Sequence, residues 1–160
     1  MKVIKELIPY IIIIIVVVLI RTFIITPVKV DGDSMKETLN DNDILLLYKL
    51  GSIKRFDIVV LDEAYDNEKI IKRVIGMPGE TVSIKNDKIY INGKVIDNSF
   101  AYGTTSDVDK IELGEDEYFI LGDNRLISKD SRYFGPVTKG EIIGKVVFRL
   151  FPFNKIGTVK

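Results

Sequence analysis

Ile70-Ile71-Lys72-Arg73-Val74-Ile75-Gly76-Met77-Pro78-Gly79-Glu80 sets a lysine inside an apolar, β-branched run closed by Gly and Pro, the pattern of a strand entering a reversal. In such a strand Ile70, Lys72 and Val74 share one face. An ammonium packed among them loses its hydration, which favours the neutral amine, and a neutral amine is a usable general base. The same run also fits a lysine on a solvated face, or one that snorkels past its neighbours. The run by itself leaves both readings open.

Outward from it, short strands alternate with turn residues. The pattern predicts strands over 28–30, 44–48, 57–61 and 69–75, and a hairpin of 81–85 with 88–91 turning on Asn86-Asp87. Asn92-Gly93 starts a further turn into 94–96, and 117–121 and 141–151 resume strand character before Pro152. The polar segment 97–109 reads as a surface loop with room to move. In Asp31-Gly32-Asp33-Ser34-Met35-Lys36-Glu37-Thr38-Leu39, Gly32 permits a tight backbone, and Ser34 is placed to cap a helical turn over 35–39 with Glu37 at the capping-box position.

Ahead of the strands, 7–20 is uncharged and almost wholly Ile, Val and Leu. Read as a helix over 7–26, with Arg21 snorkelling to an interface and Pro27 ending it, the run covers roughly 30 Å, the thickness of a bilayer's hydrocarbon core. No small-x-small cleavage site follows the apolar core, so an uncleaved anchor is favoured over a removed leader. Lys2 and Lys5 before the span nearly balance Arg21 and Lys29 after it, a weak vote for an inside N-terminus. The organisation expected is a tip and anchor over 1–26 and a β-domain over 27–160.

Composition narrows the chemistry. The 160 residues contain no His and no Cys, which removes Ser-His-Asp triads, thiol peptidases, thiolate zinc sites and disulfides. A hydrolase built from this chain must use Ser, Thr, Lys or carboxylates. Lys and Arg number 23 against 23 Asp and Glu, so no basic field exists to draw nucleic acid, which is not an expected partner.

A second dense polar stretch, Gly122-Asp123-Asn124-Arg125-Leu126-Ile127-Ser128-Lys129-Asp130-Ser131-Arg132-Tyr133-Phe134-Gly135-Pro136, mixes carboxylates, guanidinium groups and hydroxyls as a buried hydrogen-bond network does. Taken with Asp33-Ser34-Met35 and Thr38-Leu39, and with Lys72-Arg73-Val74 and Gly76-Met77-Pro78-Gly79, it completes three motifs in one order. In these the chain resembles the bacterial type I signal peptidases (peptidase family S26), membrane-anchored serine endopeptidases with a Ser-Lys dyad.

The resemblance implies Ser34 as nucleophile, Lys72 as general base, Ser128 as the hydroxyl that orients the lysine, and Asp130 with Arg132 as a structural ion pair near the site. It also implies the Ser34 main-chain N–H as an oxyanion donor, with no side-chain donor at Gly32. Met35, Leu39, Ile70 and Ile71 would wall the site for the residue before the cut, and Val28, Val30 and Ile71 the site two residues further back. Such shallow aliphatic walls suit Ala-x-Ala ends of signal peptides. The implied fold is mainly β, antiparallel coiled sheets with a partial barrel behind one transmembrane helix. The catalytic domain would lie on the extracytoplasmic face, with the lipid bilayer and exported preproteins as partners and no metal or cofactor. Where the family commonly has Pro and polar residues, this chain has Glu37 and Leu126-Ile127. The competing expectations are a non-enzymatic, membrane-tethered scaffold, in which Ser34 is a cap and Lys72 is solvated, and a self-cleaving Ser-Lys peptidase related to DNA-damage repressors, which the span and neutral charge disfavour.

Overall fold

The computed structural model describes residues 2–65 and 68–159. It opens with helix α1 (Lys2–Phe23), whose window Glu6–Phe23 has a mean hydropathy of 2.4 and no buried residue, and is long and apolar enough to cross a membrane. The helix ends at Phe23, earlier than the expected 26, and Pro27 is not what stops it. Ile25 and Thr26 are drawn into a strand instead, β1 (Ile25–Lys29), paired antiparallel with β2 (Ile44–Tyr48). β-Branched residues gain more from a sheet than from a last helical turn. The Thr26 hydroxyl donates to the Arg21 carbonyl at 2.7 Å, satisfying one carbonyl the helix leaves over. Pro27 sits inside β1, where an edge strand tolerates its missing N–H.

The remaining strands are β3 (Ile58–Tyr65), β4 (Glu68–Gly76), β5 (Thr81–Lys85), β6 (Lys88–Ile91), β7 (Lys94–Val95), β8 (Val108–Glu112), β9 (Glu117–Leu121), β10 (Val137–Thr138) and β11 (Ile142–Phe151). A one-turn helix, α2 (Ser131–Phe134), follows β9. Seven strands form one antiparallel sheet in the order β1-β2-β11-β3-β4-β9-β10, and four form another, β7-β6-β5-β8. The larger sheet does not close on itself, since its edge strands β1 and β10 are not paired with each other; the strand ladders therefore describe an open sheet and not a barrel.

β4 links the two sheets. Met77-Pro78-Gly79-Glu80 is a turn with Pro second and Gly79 third at φ 74°, closed by the Glu80 amide donating to the Met77 carbonyl. A side chain at Gly76 would meet Val82, Leu113 and Phe119 atoms within 3 Å, so glycine is what lets the sheets approach. Ile75, Phe119 and Leu121 of the large sheet share a core cluster with Val82, Ile84, Ile89 and Ile91 of the small one. The hairpin turn forms as expected, with Asn86 and Asp87 both at positive φ. The expected loop 97–109 is shorter than predicted: 108–112 pairs with β5 as β8, Tyr102 lies against the 123–125 segment, and Thr105 and Asp107 are hydrogen-bonded to the 86–87 turn.

Candidate active site

Alternation along β4 sorts its side chains onto two faces. Ile71 enters the core cluster of Val30, Met35, Leu39, Leu45 and Leu47, while Ile70 and Val74 pack with Val59, Leu61, Tyr118 and Ile120. Lys72 lies on the Ile70/Val74 face, as the sequence predicts, and it is 3% exposed.

Opposite it, the connection between β1 and β2 carries Ser34. This connection is pinned at its base by the Val30 amide donating to the Asp43 carbonyl and the Asn42 amide to the Val30 carbonyl. The expected helical turn over 35–39 is closed by the Leu39 amide donating to the Met35 carbonyl at 2.8 Å but goes no further. Glu37 has φ 78°, outside the helical region, so the segment is a succession of turns. The Ser34 side chain is instead engaged by the amine, with Lys72 Nζ donating to Ser34 Oγ at 2.8 Å.

The loop that holds Ser34 is fixed from the far side by a buried polar network, to which the 122–136 stretch contributes Asp123 and Asn124, as its composition suggests. The Asn124 amide donates to the Ser34 carbonyl at 3.0 Å and its side chain to the Asp33 carbonyl at 3.2 Å. Arg73 projects from the face of β4 opposite Lys72 and meets Asp123 through two hydrogen bonds of 2.9 and 2.7 Å. Asp123 in turn accepts the Thr38 hydroxyl, and Arg149 ion-pairs with Asp43 while donating to the Thr38 carbonyl. These pairs are buried, so each charge is compensated in place, and removal of one partner strands the other. Arg73 and Asp123 were visible in the motifs; nothing in their spacing along the chain says that they touch.

Gly122 explains how the two halves come so close. A Cβ there would fall 2.1 Å from Ser128 Oγ and 2.6 Å from the Ser34 carbonyl oxygen. Its amide donates to Asp130 Oδ2, and Asp130 makes the expected two-pronged pair with Arg132, at 2.8 and 2.9 Å. Ser128 is buried beside this glycine, and its hydroxyl makes no hydrogen bond, to Lys72 or to any other described residue.

Burial is the main reason the Lys72 amine falls from its usual 10.5 to about 8; the carboxylates of Asp130 and Asp123 oppose the shift, and Arg132 adds to it. Arg125, buried at the Gly122 carbonyl and the Thr105 hydroxyl, is lowered to about 10, again chiefly by desolvation. A serine hydroxyl 2.8 Å from an amine that loses its proton near pH 8 is an arrangement suited to nucleophilic attack. The premises of the scaffold reading, a capping Ser34 and a solvated Lys72, both fail here.

The dyad opens onto a groove of about 780 Å³ running between β1 with its following residues and the first half of β4. Val28, Val30, Met35, Ile70 and Ile71 line it, as expected, together with Lys29, Lys69, Ile127 and Lys129. Leu39 does not: it is fully buried in the core cluster that contains Met35, so it supports the wall without being part of it. Both flanks of the groove are backbone edges. β1 is paired only through β2, and the ladder of β4 with β9 begins at Arg73, leaving 68–72 without a partner on that side.

Comparison with known proteins gives one consistent result. The family model for signal peptidase, peptidase S26, matches residues 3–151. Signal peptidase I of Bacillus amyloliquefaciens is 40% identical over 166 residues, spanning 94% of this chain and 89% of that protein. Signal peptidase I of Streptococcus pneumoniae is 37% identical over 179 residues, with 86% and 88% covered. Among solved structures, the crystal structure of a signal peptidase I from Enterococcus faecalis is 32% identical with a TM-score of 0.54, covering 60% of this chain and 97% of that one. A family match over nearly the whole chain, joined to a buried lysine on a serine in a β scaffold, leads to one conclusion: this protein belongs to the signal peptidases of peptidase family S26.

Proposed function

We propose that this protein is a membrane-bound serine endopeptidase that removes N-terminal signal peptides from exported preproteins, with Ser34 as nucleophile and Lys72 as general base. The observation that carries this is the contact of 2.8 Å between a buried, pKa-lowered amine and Ser34, a serine that lines the groove. In the reaction, neutral Lys72 takes the Ser34 Oγ proton as Oγ attacks the scissile carbonyl, giving a tetrahedral oxyanion and an ammonium. The ammonium then protonates the leaving amine and an ester remains on Ser34. Water, deprotonated by the same amine, hydrolyses that ester and restores the dyad. The Ser34 main-chain N–H is the oxyanion donor in this scheme.

The substrate lies extended in the groove, adding a strand between β1 and the unpaired half of β4. Alternate side chains then face Val28, Val30, Met35 and Ile71, whose aliphatic walls admit alanine and exclude larger groups by clash, in keeping with an Ala-x-Ala end. Ser128 orients the amine once its proton is lost, and the pair of Asp130 and Arg132 holds Gly122 and hence the approach to Ser34. Helix α1 is the anchor, residues 27–160 form the catalytic domain on the extracytoplasmic face, and the N-terminus is cytoplasmic.

The test is Ser34→Ala in detergent-solubilised protein with a preprotein bearing an Ala-x-Ala site. Cleavage is expected to vanish with the unfolding curve unchanged; full activity in the variant would refute the assignment.

A further inference from the structure

Leu126 and Ile127 interrupt the polar stretch 122–132 with two apolar residues, and the dyad chemistry does not use them. They are 61% and 60% exposed, and Tyr133, 69% exposed, lies close by. Between them, with Ser128 and Lys129, is a hollow of about 340 Å³. Ile127 and Lys129 line this hollow and the catalytic groove alike. Its shape is held from behind: the Leu126 side chain lies where a Cβ on Gly103 would fall, 2.5 Å from Leu126 Cγ, and the Arg125 amide donates to the Tyr102 carbonyl.

The alternation of an extended peptide decides what this hollow receives. In a strand laid along 69–72, the residue before the cut and the one two further back point together toward the Ile71 face, into the aliphatic wall. The residue between them points the other way, toward the face of the strand that carries Lys72, and Ile127 and Lys129 are among the residues that line the groove there. We infer that Ile127, backed by Leu126 and Tyr133, is a specificity-determining residue that selects a large apolar side chain at the middle position of the cleaved tripeptide. This rests on the peptidase reading above and adds to it the second residue before the cut.

The experiment compares kcat/KM for peptides with alanine at both flanking positions and leucine or serine in the middle, using the full chain in detergent. The parent is expected to favour leucine by about tenfold, the scale on which an apolar contact discriminates. Ile127→Asn should bring that ratio close to one, Ile127→Leu should retain it, and Tyr133→Ala should reduce it. Selection of alanine over leucine at the residue before the cut should be the same in all four proteins. A leucine-to-serine ratio equal in the parent and in Ile127→Asn would overturn the inference while leaving the peptidase reading intact. No cleavage of any peptide by the parent would overturn both.

Discussion

Lys72 has a cost that its position makes measurable. Its folded pKa of about 8 lies below the ordinary 10.5, so between those values the unfolded chain binds more protons than the folded one. Stability therefore rises with pH across that window, and below pH 8 the full penalty is present, on the order of 3 kcal/mol from the separation of the two values. Lys72→Met, similar in volume and uncharged, should be inactive yet more stable than the parent at pH 7, with the difference in Tm shrinking toward pH 10. Activity of the parent should rise along an acid limb centred near pH 8 in kcat/KM. Lys72→Arg should be inactive because a guanidinium keeps its proton. A constant difference in Tm from pH 6 to 10 would show that the amine is not desolvated. This residue was half legible in the sequence: a lysine in a β-branched run says buried or snorkelling, and only the packed neighbours decide between them. Ser34 was legible as either a cap for a helical turn or a nucleophile, and it is the fold, bringing Lys72 Nζ to 2.8 Å from its Oγ, that separates the two.

Among the elements, hairpins and long apolar strands were readable because their causes are local, as with Asn86-Asp87 or the buried run of β4. The polar segment 97–107 carries no periodicity, and beside a few local turn bonds it makes long-range contacts. Tyr102 bridges to Asn124, its amide donating to the Asp123 carbonyl, while Thr105 takes a hydrogen bond from Arg125. Phe100 lies over the Arg73 guanidinium, 3.9 Å from ring centroid to Cζ, and 5.3 Å from the Phe56 ring. The segment is a strap across the back of the site, excluding water from the pair of Arg73 and Asp123 that steadies the Ser34 loop. Phe100→Ala should cost about 1–3 kcal/mol in urea unfolding, from lost ring burial and the cation–π contact. It should also lower kcat several-fold with KM little changed, while Phe100→Tyr restores both. Wild-type kcat in Phe100→Ala would mean that the strap only packs.

For the whole molecule, the helix joins the sheet with little slack. Ile24 alone separates α1 from β1, and Lys49 reaches back to the Thr22 carbonyl through Nζ and to the Ile24 carbonyl through its amide. Removing residues 1–21 leaves these contacts and the site in place. The truncated protein should leave the membrane fraction while still cleaving a soluble peptide; retention on membranes after a high-salt wash would assign the anchoring elsewhere. The apolar run marked the helix and the short runs between turn residues marked the mainly β character. Neither showed that the large sheet stays open, because closure depends on which edges meet, and that follows from coiling that no local pattern encodes.

The open edges along the groove bear on how the protein lives with its own copies. Unpaired strand backbone is a template for any extended chain, including the same edge of a second molecule. Lys29 stands on one flank and Lys69 on the other, both exposed. Two molecules meeting along the β1 edge would bring a Lys29 from each to one seam, a like-charge arrangement that disfavours self-association, while Lys69 on the other flank lies 3.8 Å from Asp62. An uncharged extended peptide meets no such repulsion along the same backbone edge.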